Sequence, residues 1–391
     1  MVRILFIAGE ISRSFGTGEY LYNLINCLVS KGFNIHLVAK KTYHDINLRV
    51  KIIEAPSTLL NVPKTFKFLT KLLHVIRQEP VDIVHVATHS YPNLALGLLI
   101  TLLIKVNNTI TRSKSSKIRL IITVHDKIFL RGAPSSVSEW ILYCLIKVTL
   151  NFVDLLIVPG KSIKEAILHL FGRNAYAKAL VLPICITDDM LNVYNINEED
   201  IRTKSRAKYG LPLDALVISF FGSIDFQPNL ISALWLRKYS SHICKELQHR
   251  LNRQVFIVIA GRHSEKLPRD ECYIPIGYVE RLVELFALSD IIVIPHLPSH
   301  SGPHVKTLYS VLSRKPVIVT KDGIKDLPLI TEKCVHLLEY LNHKALVATI
   351  ERILANEGKK YIDNCLGLLY NHIACTKLCD LYNKVYEAIT R

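Results

Sequence analysis

The stretch Ser289 to Pro328, SDIIVIPHLPSHSGPHVKTLYSVLSRKPVIVTKDGIKDLP, constrains the fold more than any other part of the chain. It reads as a strand, a Gly-containing loop, a helix and a second strand. Ile291 to Ile294 is a short apolar run stopped by Pro295, and Ser299 to Pro303 is a turn cluster. A helical pattern begins near His304 with Lys306 in its first turn. The next strand, Pro316 to Thr320, follows Ser313, Arg314 and Lys315, as a parallel βαβ crossover requires. A helix start leaves about four backbone N–H groups unpaired and carries partial positive charge, so an anion placed there meets donors the helix cannot use itself. Two readings follow from this segment alone: an anion site with Lys306 adding a full charge, or an ordinary crossover with a surface lysine.

The same alternation runs through the chain. Val2 to Ala8, Asn34 to Ala39, Ile83 to Val86, Leu120 to Val124 and Leu155 to Val158 are short apolar runs bounded by polar residues or proline. Helical spacing over Tyr20 to Ser30 follows a glycine loop, Gly16-Thr17-Gly18-Glu19. A break comes after Val181-Leu182-Pro183, and residues 188 to 212 are polar. Alternation resumes at Ala215, with strands at Val217 to Phe221, Val255 to Ala260, Ile291 to Ile294 and Val317 to Thr320 and a helical stretch from Lys344 to Ala355. Short apolar strands separated by helices imply parallel sheets covered on both faces. The expected organisation is α/β: two doubly wound domains, residues 1–185 and 186–365, and a helical segment over 366–391. Ligands of such sheets bind beyond the carboxyl ends of the strands, so a cleft between the domains is the expected site.

At 391 residues, two cores are expected rather than one. The net charge of +16 is uneven, because residues 1–185 hold 23 Lys and Arg against 10 Asp and Glu. A cationic first domain favours an anionic partner such as a membrane leaflet, a lipid phosphate or a nucleic acid, or reflects a basic proteome. Nucleic acid is the least favoured, since basic residues do not interleave with aromatics along a recognisable module. Nine cysteines without a C-x-x-C pair read as reduced, mostly buried thiols of a cytosolic protein, and Cys375 with Cys379 lacks a partner pair at zinc spacing. Met1 to Ala8 runs straight into a strand, so no cleavable leader is expected. Leu94 to Val106 is shorter than the ~20 residues a bilayer core demands. Trp140 to Val158 is interrupted by Lys147, Asn151 and Asp154. Both read as buried helices that could also lie at a membrane interface.

Four loops after strands carry chemistry: Gly16 to Glu19, His125-Asp126 after Val124, Gly222-Ser223, and the loop before Lys306. The first is not G-x-G-x-x-G, which argues against a dinucleotide. A strand-end histidine such as His125 can bond a ligand hydroxyl or cap a helix.

GSIDFQPNLISALWL from Gly222, AGRH from Ala260, IGYVERLVELFALSDIIVIP from Ile276 and SGPHVKTLYSVLSRKPVIVT from Ser301 resemble, in order and spacing, the C-terminal domain of glycosyltransferase family 4. The first half resembles it more loosely, through Gly16 to Glu19, TVHD at Thr123 to Asp126 and DLLIVPGKSIKEAI from Asp154. The resemblance implies the GT-B fold: two Rossmann-like domains facing a cleft, the first for the acceptor, the second for a nucleotide sugar, with a C-terminal helix crossing back to the first. It implies a retaining glycosyltransferase that needs no metal or other cofactor and moves a sugar from a nucleotide-diphosphate donor to a lipid-linked or surface glycan. The diphosphate would lie against Gly222, Ser223, Gly302 and Lys306, and the base near Arg262, Gly277, Tyr278 and Val279. Gly16, Thr17 and Gly18 would approach from the first domain, with His125 facing the donor sugar and Lys306 offsetting charge on the leaving diphosphate.

The chain departs from the family at Ser301 and Tyr309, where many members carry a glutamate pair, and at Asp225 and Gln227, where a basic residue is usual. One branch shares the Pro228-Asn229 motif and a lysine without the first glutamate. The departures leave open a non-catalytic protein of the same fold that binds nucleotide sugar or glycan, and, third, a nucleotide-sugar epimerase. The expected place is the cytoplasm, with peripheral contact on the inner membrane face through the basic first domain.

Overall fold

Apolar runs without polar alternation cannot serve as half-solvated strands and need cover on both faces. The computed structural model supplies that cover twice. It describes residues 2–11, 16–42, 50–55, 62–79, 81–88, 118–125, 137–184, 198–297, 303–327, 334–357 and 375–390, with single positions at 97, 100, 101, 103, 365 and 369. The chain divides into two compact units, one built on residues 1–187 and 375–391, the other on residues 188–299 and 303–374.

In the first unit the strands β1 (Arg3–Ile11), β2 (Asn34–Thr42), β3 (Lys51–Glu54), β4 (Ile83–Thr88), β5 (Arg119–Val124), β6 (Leu155–Val158) and β7 (Ala179–Val181) form one sheet in the order β3-β2-β1-β4-β5-β6-β7. Every pairing is parallel. The order reverses between β1 and β4, as in Rossmann-type sheets. Successive side chains of β1 go to opposite cores. Leu5 and Ile7 pack with Phe68 and Leu72 of α2 (Val62–Gln78), Ile146 of α3 (Val137–Phe152) and Ile163 and Ile167 of α4 (Lys161–Phe171), which a short α5 (Arg173–Ala177) follows. Ile4 and Phe6 pack with Leu21, Leu24 and Leu28 of α1 (Gly16–Ser30) and with Leu378, Tyr382 and Tyr386 of a helix spanning Cys375–Thr390. Each large apolar side chain buried this way contributes about 1.5–3 kcal/mol.

The second unit opens with α6 (Glu198–Lys208), whose acidic first turn and basic last turn suit the helix dipole. Its sheet comprises β8 (Leu216–Phe221), β9 (Val255–Ala260), β10 (Tyr273–Gly277), β11 (Ile291–Ile294), β12 (Val317–Thr320) and β13 (His336–Leu338), in the parallel order β10-β9-β8-β11-β12-β13. Helices α7 (Gln227–Leu251), α8 (Leu282–Leu288), α9 (Val305–Leu312) and α10 (His343–Arg352) complete it; the Cys375–Thr390 helix of the first unit is α11. Leu216, Ile218 and Phe220 meet Ala233, Leu236, Ile243 and Leu247 of α7 and Leu346, Val347 and Ile350 of α10.

One buried ionic knot ties α6 to this sheet. Arg206, with no exposed surface, donates through Nε to Leu288 O at 3.0 Å, through Nη1 to the carbonyls of Pro212, Leu213 and Ala215, and through Nη2 to Asp290 Oδ2 at 2.9 Å. Asp290 also accepts from Arg202 and from the Val217 backbone N–H, and its carboxyl stays below the usual range despite burial.

The structure corrects several expectations. The glycine stretch at Gly16 is not a loop before the helix: it is the first turn of α1, so Gly16, Thr17 and Gly18 present a helix start. The polar break at 188–212 contains α6. Strands β3, β7, β10 and β13 were not anticipated, being three to five residues long. The cysteines are not all thiols: Cys27–Cys379, Cys244–Cys272 and Cys334–Cys365 form disulfides, and Cys144 is a free cysteine. No local spacing could reveal them, since the partners lie 352, 28 and 31 residues apart. Trp140 to Val158 is α3 followed by β6, and α3 is exposed along one side rather than buried. Most of Leu94 to Val106 lies outside the described residues. Among the described residues no helix is long and apolar enough to cross a membrane.

Candidate functional site

In the second unit the candidate residues gather where β8 gives way to α7. Gly222 ends the strand at φ 151°, and a Cβ there would come within 2.7 Å of Lys306 Nζ and 2.6 Å of Asn229 Nδ2. Only glycine leaves room for the lysine. Lys306 reaches back from the first turn of α9 to donate to Phe221 O at 3.1 Å and to Asn229 Oδ1, with its ammonium 4.8 Å from the centre of the Phe220 ring. Asn229 in turn donates to Ser223 O at 2.8 Å, which pins the loop after β8. No carboxylate pairs with Lys306 among the described residues. Burial without a counter-charge therefore pulls its pKa down to about 7, because the charged form loses more solvation than its neutral partners return.

A second glycine holds the neighbouring strand close. Gly261, at φ 136°, donates to Gly277 O at 2.8 Å, and a Cβ on it would lie 2.2 Å from Gly222 O. Backbone cannot yield as a flexible side chain would. Gly261→Ala is expected to destabilise the second unit by about 1–3 kcal/mol and to displace the Gly222 loop. Thermal unfolding and titration with uridine diphosphate would check both effects.

Around this centre lie further polar groups, of which sequence reasoning singled out Ser223 and, as a departure from the family pattern, Asp225. His304 caps α9, and its ring stacks on His296 at 4.3 Å between centroids. His304 Nε2 is 3.5 Å from Asp322 Oδ2. His296 is buried, shares a hydrogen bond with Ser232 Oγ at 3.1 Å, and is held neutral by burial and by Lys306 and His304 beside it. His263 Nδ1 is 2.7 Å from Asp225 Oδ1, and Asp225 Oδ2 accepts from Ser223 Oγ at 3.2 Å, so the carboxyl of Asp225 stays below its ordinary range. Asn229 was legible only as half of a Pro-Asn pair; the histidines carried no spacing signal.

Of the remaining candidates, Arg262 follows Gly261, Gly277 ends β10 at φ 78°, Tyr278 is half exposed and Val279 is buried. Tyr309 sits buried on α9, one helical turn beyond Lys306. Ser301 and Gly302 lie outside the described residues.

In the first unit His125 follows β5 and is buried, its ring edge-on to Tyr20 of α1 at 5.3 Å. Behind it runs a polar chain through an otherwise apolar core. His85 meets Tyr386 at 2.5 Å through Nδ1 and Thr123 at 2.7 Å through Nε2, and the Tyr20 and Tyr382 hydroxyls share a bond at 2.7 Å. Burial drives the His85 pKa down to about 3, so it stays neutral and offers one donor and one acceptor. The helix start at Gly16 and the end of β5 thus belong to one rigidly bonded unit. Among the described residues no group of three or more His, Cys, Asp or Glu is placed to hold a metal ion.

Comparison with known proteins places this architecture. The model of Glycosyltransferase Family 4 matches residues 16–188. That is the half in which the motif resemblance is looser. No curated protein matches the chain in sequence. A glycosyltransferase from Rickettsia africae is similar over 100% of this chain and 99% of its own, at TM-score 0.76 and 16% identity. HepE of Anabaena, crystallised with UDP and glucose, is similar over 99% of this chain and 100% of its own, at TM-score 0.70 and 15% identity. Sucrose-phosphate synthase of Thermosynechococcus elongatus is similar over 100% and 99%, at TM-score 0.68 and 15% identity. The architecture is that of the GT-B fold seen in these structures, and the match to the Glycosyltransferase Family 4 model covers residues 16–188.

Proposed function

We propose that the chain transfers a sugar from a nucleotide-diphosphate donor to a lipid-linked or surface-glycan acceptor, with retention at the anomeric carbon and without a metal ion. The observation that carries this reading is Lys306: a partly buried ammonium with no paired carboxylate among the described residues, beside a glycine that opens backbone space to it. An unpaired cation in such a place costs stability unless an anion completes it. In transfer, the bond from the sugar's anomeric carbon to the diphosphate oxygen breaks and a bond to an acceptor hydroxyl oxygen forms. Negative charge grows on the departing diphosphate, which is where a fixed ammonium and helix-start N–H groups act.

In this reading Gly222, Ser223, Gly302 and Lys306 hold the diphosphate, and Arg262, Gly277, Tyr278 and Val279 border the base. His125 faces the transferred sugar, and Gly16, Thr17 and Gly18 present the start of α1 to it. HepE's complexes with UDP and UDP-glucose support a uridine nucleotide as the first donor to try. With Ser301 and Tyr309 at the glutamate positions, ribose contacts rest on other groups. The place of action is the cytoplasmic face of a membrane, where the basic first unit meets anionic lipid.

The test is a panel of nucleotide sugars offered with lipid-linked and polysaccharide acceptors, read as released nucleoside diphosphate and as the anomeric configuration of the product. Release that requires acceptor, persists in chelator and yields a retained linkage is expected. Tight donor binding with no release from any pair would leave a binding protein, and an epimerised sugar without acceptor would leave an epimerase.

A further inference from the structure

The outer side of α3 is apolar where a surface helix is ordinarily polar. Trp140, Ile141, Val148 and Phe152 are each at least half exposed, at 51, 57, 56 and 50%, and Cys144 is exposed with them. At about 100° per residue these five fall within about 120° of one another. Asn151 is the polar position within that face, and exposed Lys147 stands at its margin. The opposite side does the structural work: Ile146 and Leu150 enter the core, and Tyr143 stacks on Phe171 and donates to Leu170 O at 3.0 Å. The inner side thus anchors the helix, while on the outer side Trp140 touches Tyr143 edge-on at 5.8 Å and still stays half exposed. Isolated exposed apolar side chains need no explanation, but a continuous row along four turns does.

We infer that this face of α3 is the membrane-docking element of the first unit, inserting flat into the headgroup and acyl boundary of an anionic bilayer. Three observations select lipid. The 16-residue helix is shorter than the ~20 residues a span needs, yet its apolar side runs end to end, which suits a helix lying in the interface plane. Trp140 and Phe152 stand near its two ends, and an indole suits the interfacial region. The charge is complementary: residues 1–185 carry 23 basic against 10 acidic residues, Lys147 flanks the face, and Lys178 closes the helix end through Leu150 O at 3.1 Å. Charge alone would attract the unit to a surface; the row of apolar residues gives it something to bury. The inference extends the lipid-linked acceptor reading by naming the point of contact, and it stands apart from it experimentally, because vesicle binding needs no sugar donor.

The test uses the full chain with vesicles of phosphatidylglycerol and phosphatidylethanolamine, and with phosphatidylcholine alone, read by co-sedimentation. Partition into the anionic vesicles is expected, with a blue shift of Trp140 emission measured in a Trp235→Phe background. Val148→Asp, or Trp140→Ser with Phe152→Ser, is expected to lower partition about tenfold or more. Thermal unfolding and uridine diphosphate binding should stay at parent values. The inference is overturned if Val148→Asp binds vesicles as the parent does, if Trp140 emission does not move, or if binding survives every α3 substitution and vanishes only with salt. It is equally overturned if the α3 variants abolish a dimer while vesicle partition is unchanged, which would make the face a contact between copies. Loss of vesicle binding with donor turnover intact supports the inference, whereas absent turnover with α3-dependent vesicle binding counts against the transferase reading alone.

Discussion

Lys306→Ala is expected to lower nucleoside diphosphate release by about 10²–10³-fold, the effect typical of removing one preorganised group that stabilises a developing anion. Steady-state release with the best donor of the panel measures it, and thermal unfolding guards against a folding defect. The loss should fall on turnover as well as on affinity, since the ammonium faces a charge that grows as the glycosyl bond breaks. A mere surface lysine would change neither. The pH dependence is distinctive. Folded Lys306 has a pKa of about 7 against its ordinary 10.5, so between those values the folded chain binds fewer protons than the unfolded one. Stability contributed by this group therefore rises with pH through that window. A bound diphosphate draws the proton back and cancels that trend. Stabilisation by uridine diphosphate should be greatest below pH 7 and shrink steadily toward pH 9, with proton uptake on binding near pH 8. Calorimetry in buffers of different ionisation enthalpy would count that proton, and equal binding across the range would remove Lys306 from the diphosphate.

The second large effect concerns stability. Arg206→Ala is expected to cost the second unit about 3–5 kcal/mol, lowering its unfolding midpoint by roughly 10 °C at 2–4 °C per kcal/mol for a domain of this size. The cost arises because four carbonyls lose a buried donor, with Arg253 still reaching Ala215 O and the Ala215 N–H still reaching Pro212 O, while Asp290 keeps Arg202, the Val217 N–H and, at 3.9 Å, Arg253. Pairing Arg206→Met with Asp290→Asn should recover part of the loss, since it removes the stranded buried charge together with its partner. Differential scanning calorimetry on both variants would resolve this, and a change under about 1 kcal/mol would mean that the knot behaves as a surface ion pair.

The parallel α/β architecture was legible because its inner strands are nearly unbroken apolar runs: LVISFF, IIVI and VIVT admit hardly any other reading. The edge strands were not legible, since KIIE and HLL are too short and too mixed to stand out and become strands only by pairing with a neighbour already in place. The helix start behind Lys306 could be read from a turn cluster followed by helical spacing. Its surroundings could not. Asn229, His296 and Asp322 converge from positions 26 to 93 residues apart, and nothing local marks such a meeting. His85 illustrates the same limit. Within IVHVAT it looks like a polar interruption, and only α11, about three hundred residues later, supplies the tyrosine that satisfies it. The exposed side of α3 was hidden for the opposite reason: an apolar run reads as core unless the packing is seen.

The seam formed by α1 and α11, through Tyr20–Tyr382, Cys27–Cys379 and the packing of Leu378 and Tyr386, means that the half of the chain made first is finished last. Until residues 375–390 have been synthesised, one side of the seven-stranded sheet lacks part of its cover, and Tyr20 and His85 lack their phenolic partners. Assembly of the early half must therefore wait for, or be held open through, completion of the six-stranded unit in between. A nascent chain stalled before residue 375 should expose that apolar sheet surface to chaperones, while one released after 390 should not.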